Sequence, residues 1–221
     1  MTYYPITLNL ENRRCLVVGG GPVAQRKVAE LLAAGARVVV IAPQVTADLR
    51  QWADDGCLEW RTRLAEADDV AGAILVIAAT DDPASNALIW EASRAHGALV
   101  NAVDDLPHCD FIAPAIVRRG QVTIAISTGG NSPALAAHLR RYLEGAVGPE
   151  YGLLAELLGS LRKRVMAELP DPGQRAALWQ SLVESDLLEV LRRSESEGDA
   201  ALEQARSKAE KLVLEFINHE R

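Results

Sequence analysis

The chain has 221 residues, of which 49% are hydrophobic and 24% charged, and its formal net charge is −7. That length allows one domain of ordinary size plus a smaller element, with enough apolar residues for a sizeable core. The acidic balance argues against nonspecific nucleic-acid binding, whose usual footprint is a basic patch, but leaves room for a locally positive site that takes an anionic small molecule.

At the N-terminus, Met1-Thr2-Tyr3-Tyr4-Pro5 lacks a basic segment followed by a long apolar run, so no signal peptide is expected. No apolar stretch in the chain approaches a membrane span. Ile6-Thr7-Leu8-Asn9-Leu10 alternates and predicts a short strand. Arg14 to Val18 reads as the first buried strand, and Ala24 to Ala34 as the first helix. Between them stands Gly19-Gly20-Gly21-Pro22-Val23-Ala24, which matches the dinucleotide-binding pattern Gly-x-Gly-x-x-Ala at Gly19, Gly21 and Ala24. Gly19 permits the tight turn, and Gly21 has no Cβ to keep a pyrophosphate from the backbone. Ala24 lets the helix pack close to the strand. The helix N-terminus then offers N–H groups and a partial positive charge to phosphate.

Arg37 to Ile41 predicts the second strand. A carboxylate about 20 residues past the glycine turn usually holds the ribose 2′-hydroxyl of NAD. Here Ile41, Ala42 and Pro43 stand in its place, and no arginine follows to meet a 2′-phosphate. Backbone groups near Pro43 and Gln44 are the candidates for gripping the ribose, and the motif leaves NAD and NADP both open. Thr46 to Asp55 reads as a helix capped by Thr46, and Leu58 to Arg61 as a short strand. Ile74 to Ala79 is a continuous apolar run, as in a buried parallel strand. Thr80 follows at the carboxyl end of that strand, where ligands of such sheets sit, and Asp81 or Asp82 is expected to cap the helix that Pro83 opens. Ala98 to Asn101 closes the sheet. Strands alternating with helices predict α/β architecture with a parallel sheet.

Asn101 to Phe111 is the stretch densest in reactive side chains. Asp104 and Asp105 are candidate catalytic carboxylates, and their mutual repulsion favours a base at one of them. His108, Cys109 and Asp110 could ligate a metal in principle. Consecutive side chains diverge, however, and no metal site is expected. A polar loop with helix caps is the plain alternative. Three cysteines, Cys15, Cys57 and Cys109, form no CxxC pair, which fits a reducing compartment, and Cys15 is expected in the core.

After Phe111 the pattern changes. Phe111 to Val117 and Gln121 to Ser127 predict an antiparallel pair joined by a turn at Arg118-Arg119-Gly120. A second glycine turn, Thr128-Gly129-Gly130-Asn131-Ser132, leads into a helix at Ala134 to Leu143, with Ser132 as cap and Pro133 in the first turn. It is either a second anion site or a mere cap. Arg118, Arg119, His138, Arg140 and Arg141 are the cations expected around it. From Pro149 onward the chain reads as helix. It breaks at Leu169-Pro170-Asp171-Pro172, resumes at Ala176 to Leu191, and passes a polar linker at Ser194 to Asp199. A final amphipathic helix is marked by Leu202, Ala205, Ala209, Leu212 and Phe216. The expected domains are 1–112, a dinucleotide-binding Rossmann-like domain; 113–148, a dimerisation segment; and 149–221, a helical domain.

GGGPVAQRK, the AATDDP turn, NAVDD…CDFIAPA and STGGNSPALA together resemble the precorrin-2 dehydrogenase and sirohydrochlorin ferrochelatase family, which also forms the N-terminal part of sirohaem synthase. The resemblance is strong over about residues 1–145 and loose beyond. It implies NAD-dependent oxidation of precorrin-2 to sirohydrochlorin, followed in some members by iron insertion. It also implies a homodimer built through the antiparallel segment, and the sparse cysteines place the expected location in the cytoplasm. On this resemblance Asp104 matches the aspartate that serves both chemistries, and Pro22, Val23, Pro43 and Gln44 match cofactor contacts. Thr128 stands where some members carry a phosphorylatable serine. Thr128, Gly129, Gly130, Asn131, Ser132, Arg140 and Arg141 are then expected to bind the tetrapyrrole. The chain ends at Arg221 with no methyltransferase domain following, so methylation of the precursor is expected from another protein. A non-catalytic NAD-binding regulator is the alternative from another class. A Rossmann oxidoreductase for a small hydroxy acid is a third reading, but no obvious catalytic histidine or lysine in the second domain supports it.

Overall fold

The computed structural model describes residues 3–219. Residues up to Ala113 form one compact unit, and residues from Pro114 onward form a second.

In the first unit five strands lie in the order β3-β2-β1-β4-β5: β1 (Arg14–Val18), β2 (Arg37–Ile41), β3 (Glu59–Arg61), β4 (Leu75–Ala78) and β5 (Leu99–Ala102). Every pairing is parallel. Runs such as Cys15-Leu16-Val17-Val18 are apolar at consecutive positions because both sheet faces are covered. Cys15 and Val17 pack with Val28 and Leu31 of α1 (Pro22–Ala33) and Leu49 of α2 (Ala47–Asp54). Leu16 and Val18 pack on the opposite face with Val70 and with Ile89 and Ala92 of α3 (Pro83–His96). Each fully buried side chain of this kind contributes about 1.5–3 kcal/mol. Burial pushes the Cys15 thiol up to about 11, so it remains a neutral core group.

The chain order reverses between β1 and β4. From β1 it runs outward through β2 to β3, then returns to β4 on the other side. Connections leaving the carboxyl ends of β1 and β4 therefore diverge, and the crevice between them is where a sheet of this type takes its ligand.

The alternating segment Ile6 to Leu10 forms no strand. Leu10 is buried in the core beside β1, but Ile6 and Leu8 are exposed. Alternation supplies a face to bury; without a partner strand it does not make a ladder.

In the second unit β6 (Ala115–Arg119) and β7 (Val122–Ile126) form an antiparallel hairpin, with Arg119 opposite Val122 across a two-residue turn. The tip of this hairpin rests on α5 (Glu150–Glu168) at Gly152, where a Cβ would lie 2.6 Å from the Arg119 carbonyl oxygen. Only glycine allows that approach. The Arg119 guanidinium donates to the carbonyls of Glu144 and Val147, both at 2.8 Å, and so closes the end of α4 (Pro133–Ala146).

The helical remainder packs around one core. The single helix expected at Ala176 to Leu191 is two, α6 (Pro172–Glu184) and α7 (Leu187–Arg192). Pro172 opens α6 behind the capping carboxylate of Asp171. Ser185 is extended, and its hydroxyl donates to the Leu182 carbonyl while accepting from the Leu187 N–H, so the break satisfies its own backbone. The expected polar linker is a short helical turn, α8 (Ser194–Glu197), ended by Gly198. In α9 (Asp199–His219) the buried line is Ala201, Ala205, Ala209, Val213 and Ile217, while Leu202, Leu212 and Phe216 flank it partly buried. Across the bundle, Glu150 is buried and accepts from Arg192 at 2.9 Å.

Candidate functional site

The glycine turn lies at the reversal point of the sheet, between β1 and α1. Its three glycines differ. A Cβ on Gly19 would lie 2.1 Å from the Ala79 carbonyl oxygen, and one on Gly20 would lie 2.0 Å from the Gln44 carbonyl oxygen. Around Gly21 nothing stands within 4 Å of the Cβ position. The first two thus let the turn press against the ends of β4 and β2, and the third faces open space. The Thr46 N–H also donates to the Gly20 carbonyl at 3.0 Å, which draws Pro43 and Gln44 up against the turn.

Helix α1 starts from this turn with Gly21 at its cap, no side-chain cap, and a first turn that holds Pro22 and no acidic residue. Its leading N–H groups are left for a ligand, and its positive end is unopposed within that turn. An open Gly21 before an uncapped helix N-terminus fits the pyrophosphate of a dinucleotide. At the end of β2, Ile41 and Ala42 are buried. Asp48 of α2 accepts from the Gln25 amide on α1.

Thr80 sits at the carboxyl end of β4, but its hydroxyl is engaged. It lies 2.8 Å from Asn86 Oδ1 and accepts from the Asp82 N–H at 3.2 Å. Asn86 in turn donates to the Thr80 carbonyl. Asp82 is the cap of α3, accepting from the N–H groups of Ala84 and Ser85, and Thr80 braces that cap.

The loop after β5 carries the two candidate carboxylates, and the structure separates their roles. Asp104 has φ +62°, the left-handed conformation that costs an ordinary L-residue roughly 1–2 kcal/mol. Its side chain is exposed and makes no hydrogen bond or ion pair among the described residues. Asp105 instead holds His108, Oδ2 to Nδ1 at 2.6 Å. The loop begins and ends in backbone bonds. The Val103 N–H donates to the Ala78 carbonyl, and the Asp110 N–H donates to the Val100 carbonyl, while the Asp110 carboxylate accepts from the Val100 N–H. Asn101 donates to the Phe111 carbonyl, and Cys109 turns its thiol onto the Ala102 carbonyl. Burial pushes that thiol up, with the Asp105 and Asp110 charges adding to the effect. Residues 109–111 thus fold back along β5 and cover the edge of the sheet. No group of three or more metal-ligating side chains occurs among the described residues.

The glycine turn and the Asp104 loop flank the same end of β4: Ala78 accepts from Val103, and the adjacent Ala79 carbonyl lies against Gly19.

The second glycine turn belongs to the other unit. There Thr128 and Ser132 are locked together: the Ser132 N–H donates to the Thr128 hydroxyl and that hydroxyl donates to the Ser132 carbonyl, both at 3.1 Å. The Ser132 hydroxyl caps α4 by accepting from the Leu135 N–H. Gly129 and Gly130 both have positive φ, and the Asn131 N–H returns to the Thr128 carbonyl. The expected ring of cations around this turn does not form as drawn from sequence. Arg119 closes the far end of α4, and Arg140 is paired with Glu144 at 2.8 Å. At about 1.5 Å per residue, Arg140 and Arg141 stand two turns along the helix from Ser132. Arg118 and Arg141 are exposed, and the side chain of neither is paired among the described residues.

Sequence reasoning missed His108 as the partner of Asp105. The signal was present, since an aspartate three residues before a histidine can close across one turn. It also missed Asn86 as the brace of Thr80. Nothing in the sequence marked Asp104 as left-handed.

Three family models match in succession: NAD(P)-binding over residues 6–115, sirohaem biosynthesis protein central over 119–146, and sirohaem synthase dimerisation region over 150–205. The last falls on the helices from α5 onward; β7, the second glycine turn and α4 fall in the central match, and β6 straddles the gap between the first two. Among similar proteins, the sirohaem synthase of Methylococcus capsulatus is 44% identical over 97% of this chain and 43% of its own length. That of Pseudomonas aeruginosa is 41% identical over 92% of this chain and 44% of its own. The chain spans less than half the length of these curated relatives. Among solved structures, "SirC, precorrin-2 dehydrogenase" shares the fold, with a TM-score of 0.75 at 24% identity, covering 95% of this chain and all of that one.

Proposed function

Because the chain belongs to the sirohaem synthase family, we propose that it oxidises precorrin-2 to sirohydrochlorin with NAD. The observation that carries this reading is the meeting, at the end of β4, of an uncapped dinucleotide turn and an unpartnered Asp104. When bound, NAD supplies the acceptor for a hydride leaving the macrocycle. The chain supplies the rest. Gly19, Gly21, Pro22 and Val23 seat the pyrophosphate, and the Pro43-Gln44 backbone lies where the ribose is expected. Thr80 holds the β4–α3 turn in place, and the Asp104 carboxylate takes the proton that the macrocycle loses with the hydride. Asp104 is suited to that step because no partner holds its charge and the loop fixes its backbone. If the chain also inserts iron, the same carboxylate would accept the pyrrole N–H protons.

The substrate is a tetrapyrrole with many carboxylates, so a protein of net charge −7 must meet it with local positive charge. Arg118 and Arg141 are exposed arginines of this segment whose side chains are unpaired among the described residues. The assembly is a homodimer in this reading, consistent with the dimerisation-region match. On α4, Leu135, Leu139 and Tyr142 are exposed at helical spacing, an apolar strip that a second copy would cover. Among the described residues no helix is long and apolar enough to cross a membrane, and the proposed site of action is the cytoplasm.

Anaerobic incubation with precorrin-2 and NAD tests the reading. Formation of NADH with the spectrum of sirohydrochlorin is expected. NAD binding without any turnover of precorrin-2 would favour the non-catalytic regulator instead.

A further inference from the structure

Asn86, in the first turn of α3, reaches back and holds Thr80 twice. Its Oδ1 accepts from the Thr80 hydroxyl at 2.8 Å, and its Nδ2 donates to the Thr80 carbonyl at 3.0 Å. The pair of bonds fixes which way the amide faces, because a backbone carbonyl can only accept. The hydroxyl gives its one proton to Asn86 and accepts from the Asp82 N–H, so it has none left to offer a ligand. Both residues are half-buried. The peptide that Thr80 shares with Ala79 is the one pressed against the dinucleotide turn. From the Cβ position of Gly19, the Ala79 carbonyl oxygen stands at 2.1 Å, its carbon at 2.7 Å and the Thr80 nitrogen at 3.4 Å. That peptide is held on one side by the sheet, through the Ala79 N–H bond to the Val18 carbonyl, and on the other by Asn86. Gly19 has no slack against it, so a tilt of the peptide must move the turn, with Gly21 and the uncapped start of α1.

We infer that Asn86 is a positioning residue for the cofactor. It acts through Thr80 and the Ala79–Thr80 peptide, and it holds the Gly19 turn in the shape that receives the pyrophosphate. The inference rests on the seating of NAD at that turn and not on the identity of the substrate. Among the described residues no hydrogen bond joins Asn86 to the turn itself, so its effect passes through the peptide between them. Thr80 accordingly serves the site by the placement of its backbone rather than by its hydroxyl. A brace of the α3 cap is a different role, and the Asp82 carboxylate separates the two. It caps α3 through the N–H groups of Ala84 and Ser85 without taking part in either Asn86 bond.

The test is a calorimetric titration of the full chain with NAD, beside thermal denaturation. Asn86→Ala should raise the NAD dissociation constant about 3- to 10-fold, the loss of one or two neutral hydrogen bonds felt at the turn. In turnover with precorrin-2 the same factor should appear in the KM for NAD, with kcat at saturating NAD unchanged. Asp82→Ala should lower the melting temperature by uncapping α3 and leave NAD affinity as it was. Wild-type affinity in Asn86→Ala, or an affinity that falls in step with the melting temperature in both variants, would overturn the positioning role. Asn86→Asp gives a second readout. Its carboxylate repels the Thr80 carbonyl at about pH 7.5, whereas the protonated acid can both accept and donate as the amide does. Its NAD dissociation constant, taken as a ratio to wild type, should therefore shrink toward one as the pH falls to about 5, and a constant ratio would overturn the clamp. A wild-type protein that binds no NAD would overturn the cofactor site and Asn86 with it. NAD binding without turnover of precorrin-2 would strike the functional reading alone, and the affinity ratios would still decide the part of Asn86.

Discussion

Gly19 lies directly under the Ala79 carbonyl: a Cβ at that glycine would stand 2.1 Å from the oxygen, and the backbone there has φ +120°. Two strands approach each other through this one missing atom. Two residues further on, Gly21 has open space around it. The glycines of one motif therefore answer to different constraints, the first to the sheet and the last to the ligand.

Gly19→Ala should accordingly destabilise the fold by about 2–4 kcal/mol, as large strain or overpacking does. Gly21→Asp should leave the melting temperature close to wild type and abolish NAD binding, since it sets a side chain and a negative charge against the pyrophosphate. Thermal denaturation and a calorimetric NAD titration separate the two. A stable Gly21→Asp protein that still binds NAD would show that the phosphates sit elsewhere.

At Asp104 chemistry and backbone can be separated. Asp104→Asn keeps a residue that tolerates left-handed φ, so stability should hold while the oxidation falls about 10²–10⁴-fold. Asp104→Ala should fall equally in rate and also lose roughly 1 kcal/mol, because alanine pays the full strain. Equal stability of the two variants in urea denaturation would contradict the strained loop. Full activity in Asp104→Asn would leave hydride transfer without a protein base.

The parallel sheet was readable because its signals are local: a glycine turn between an apolar run and a helix, and three more apolar runs at the expected intervals, at Arg37 to Ile41, Ile74 to Ala79 and Ala98 to Asn101. The left-handed Asp104 was not readable, because its conformation is imposed by bonds on either side of it, from Val103 to Ala78 and from Asp110 to Val100. The arginines misled for a similar reason. Arg118, Arg119, Arg140 and Arg141 look alike as charges, yet Arg119 closes a helix and Arg140 meets Glu144, which only the fold discloses. Ile6 and Leu8 alternate as a strand does, but alternation says nothing about whether a partner edge exists.

Among those arginines, Arg141 is expected to matter more than Arg140. Arg141→Glu should weaken tetrapyrrole binding severalfold without touching NAD affinity. Arg140→Ala should do less, since Arg140 is already neutralised by Glu144. Fluorescence titration with sirohydrochlorin ranks them, and equal affinity in both variants would assign Arg141 to a solvated helix face.

Assembly gives a further check. Light scattering at micromolar concentration should report a dimer, and Leu139→Glu with Tyr142→Glu should shift it toward monomer by charging the exposed strip on α4. A wild-type monomer would remove the dimer from the proposal, and a charged variant that stays dimeric would place the contact on the helices from α5 onward.

Acid stability should depend on Asp69. Its side chain is 5% exposed and meets both Arg61 and Arg63. The Arg63 guanidinium holds its carboxyl below the ordinary value of 3.8, with the Glu66 N–H helping against the cost of burial. A folded value below the unfolded one means that the stabilisation is complete above about pH 4 and is lost as the pH falls through the folded value. Asp69→Ala should cost about 2 kcal/mol at neutral pH and flatten the decline below pH 4. An unaltered acid-unfolding curve would show that this cluster contributes nothing.

The loop from Val103 to Asp110 is closed at its base by backbone bonds, so the sheet does not depend on which side chains occupy its tip. It behaves as a cassette. Residues 104–108 can be exchanged or lengthened while Val100, Asn101, Val103 and Asp110 keep the ends in register. The same closure denies an incoming strand the free edge of β5, so the loop also protects the protein against edge-to-edge association.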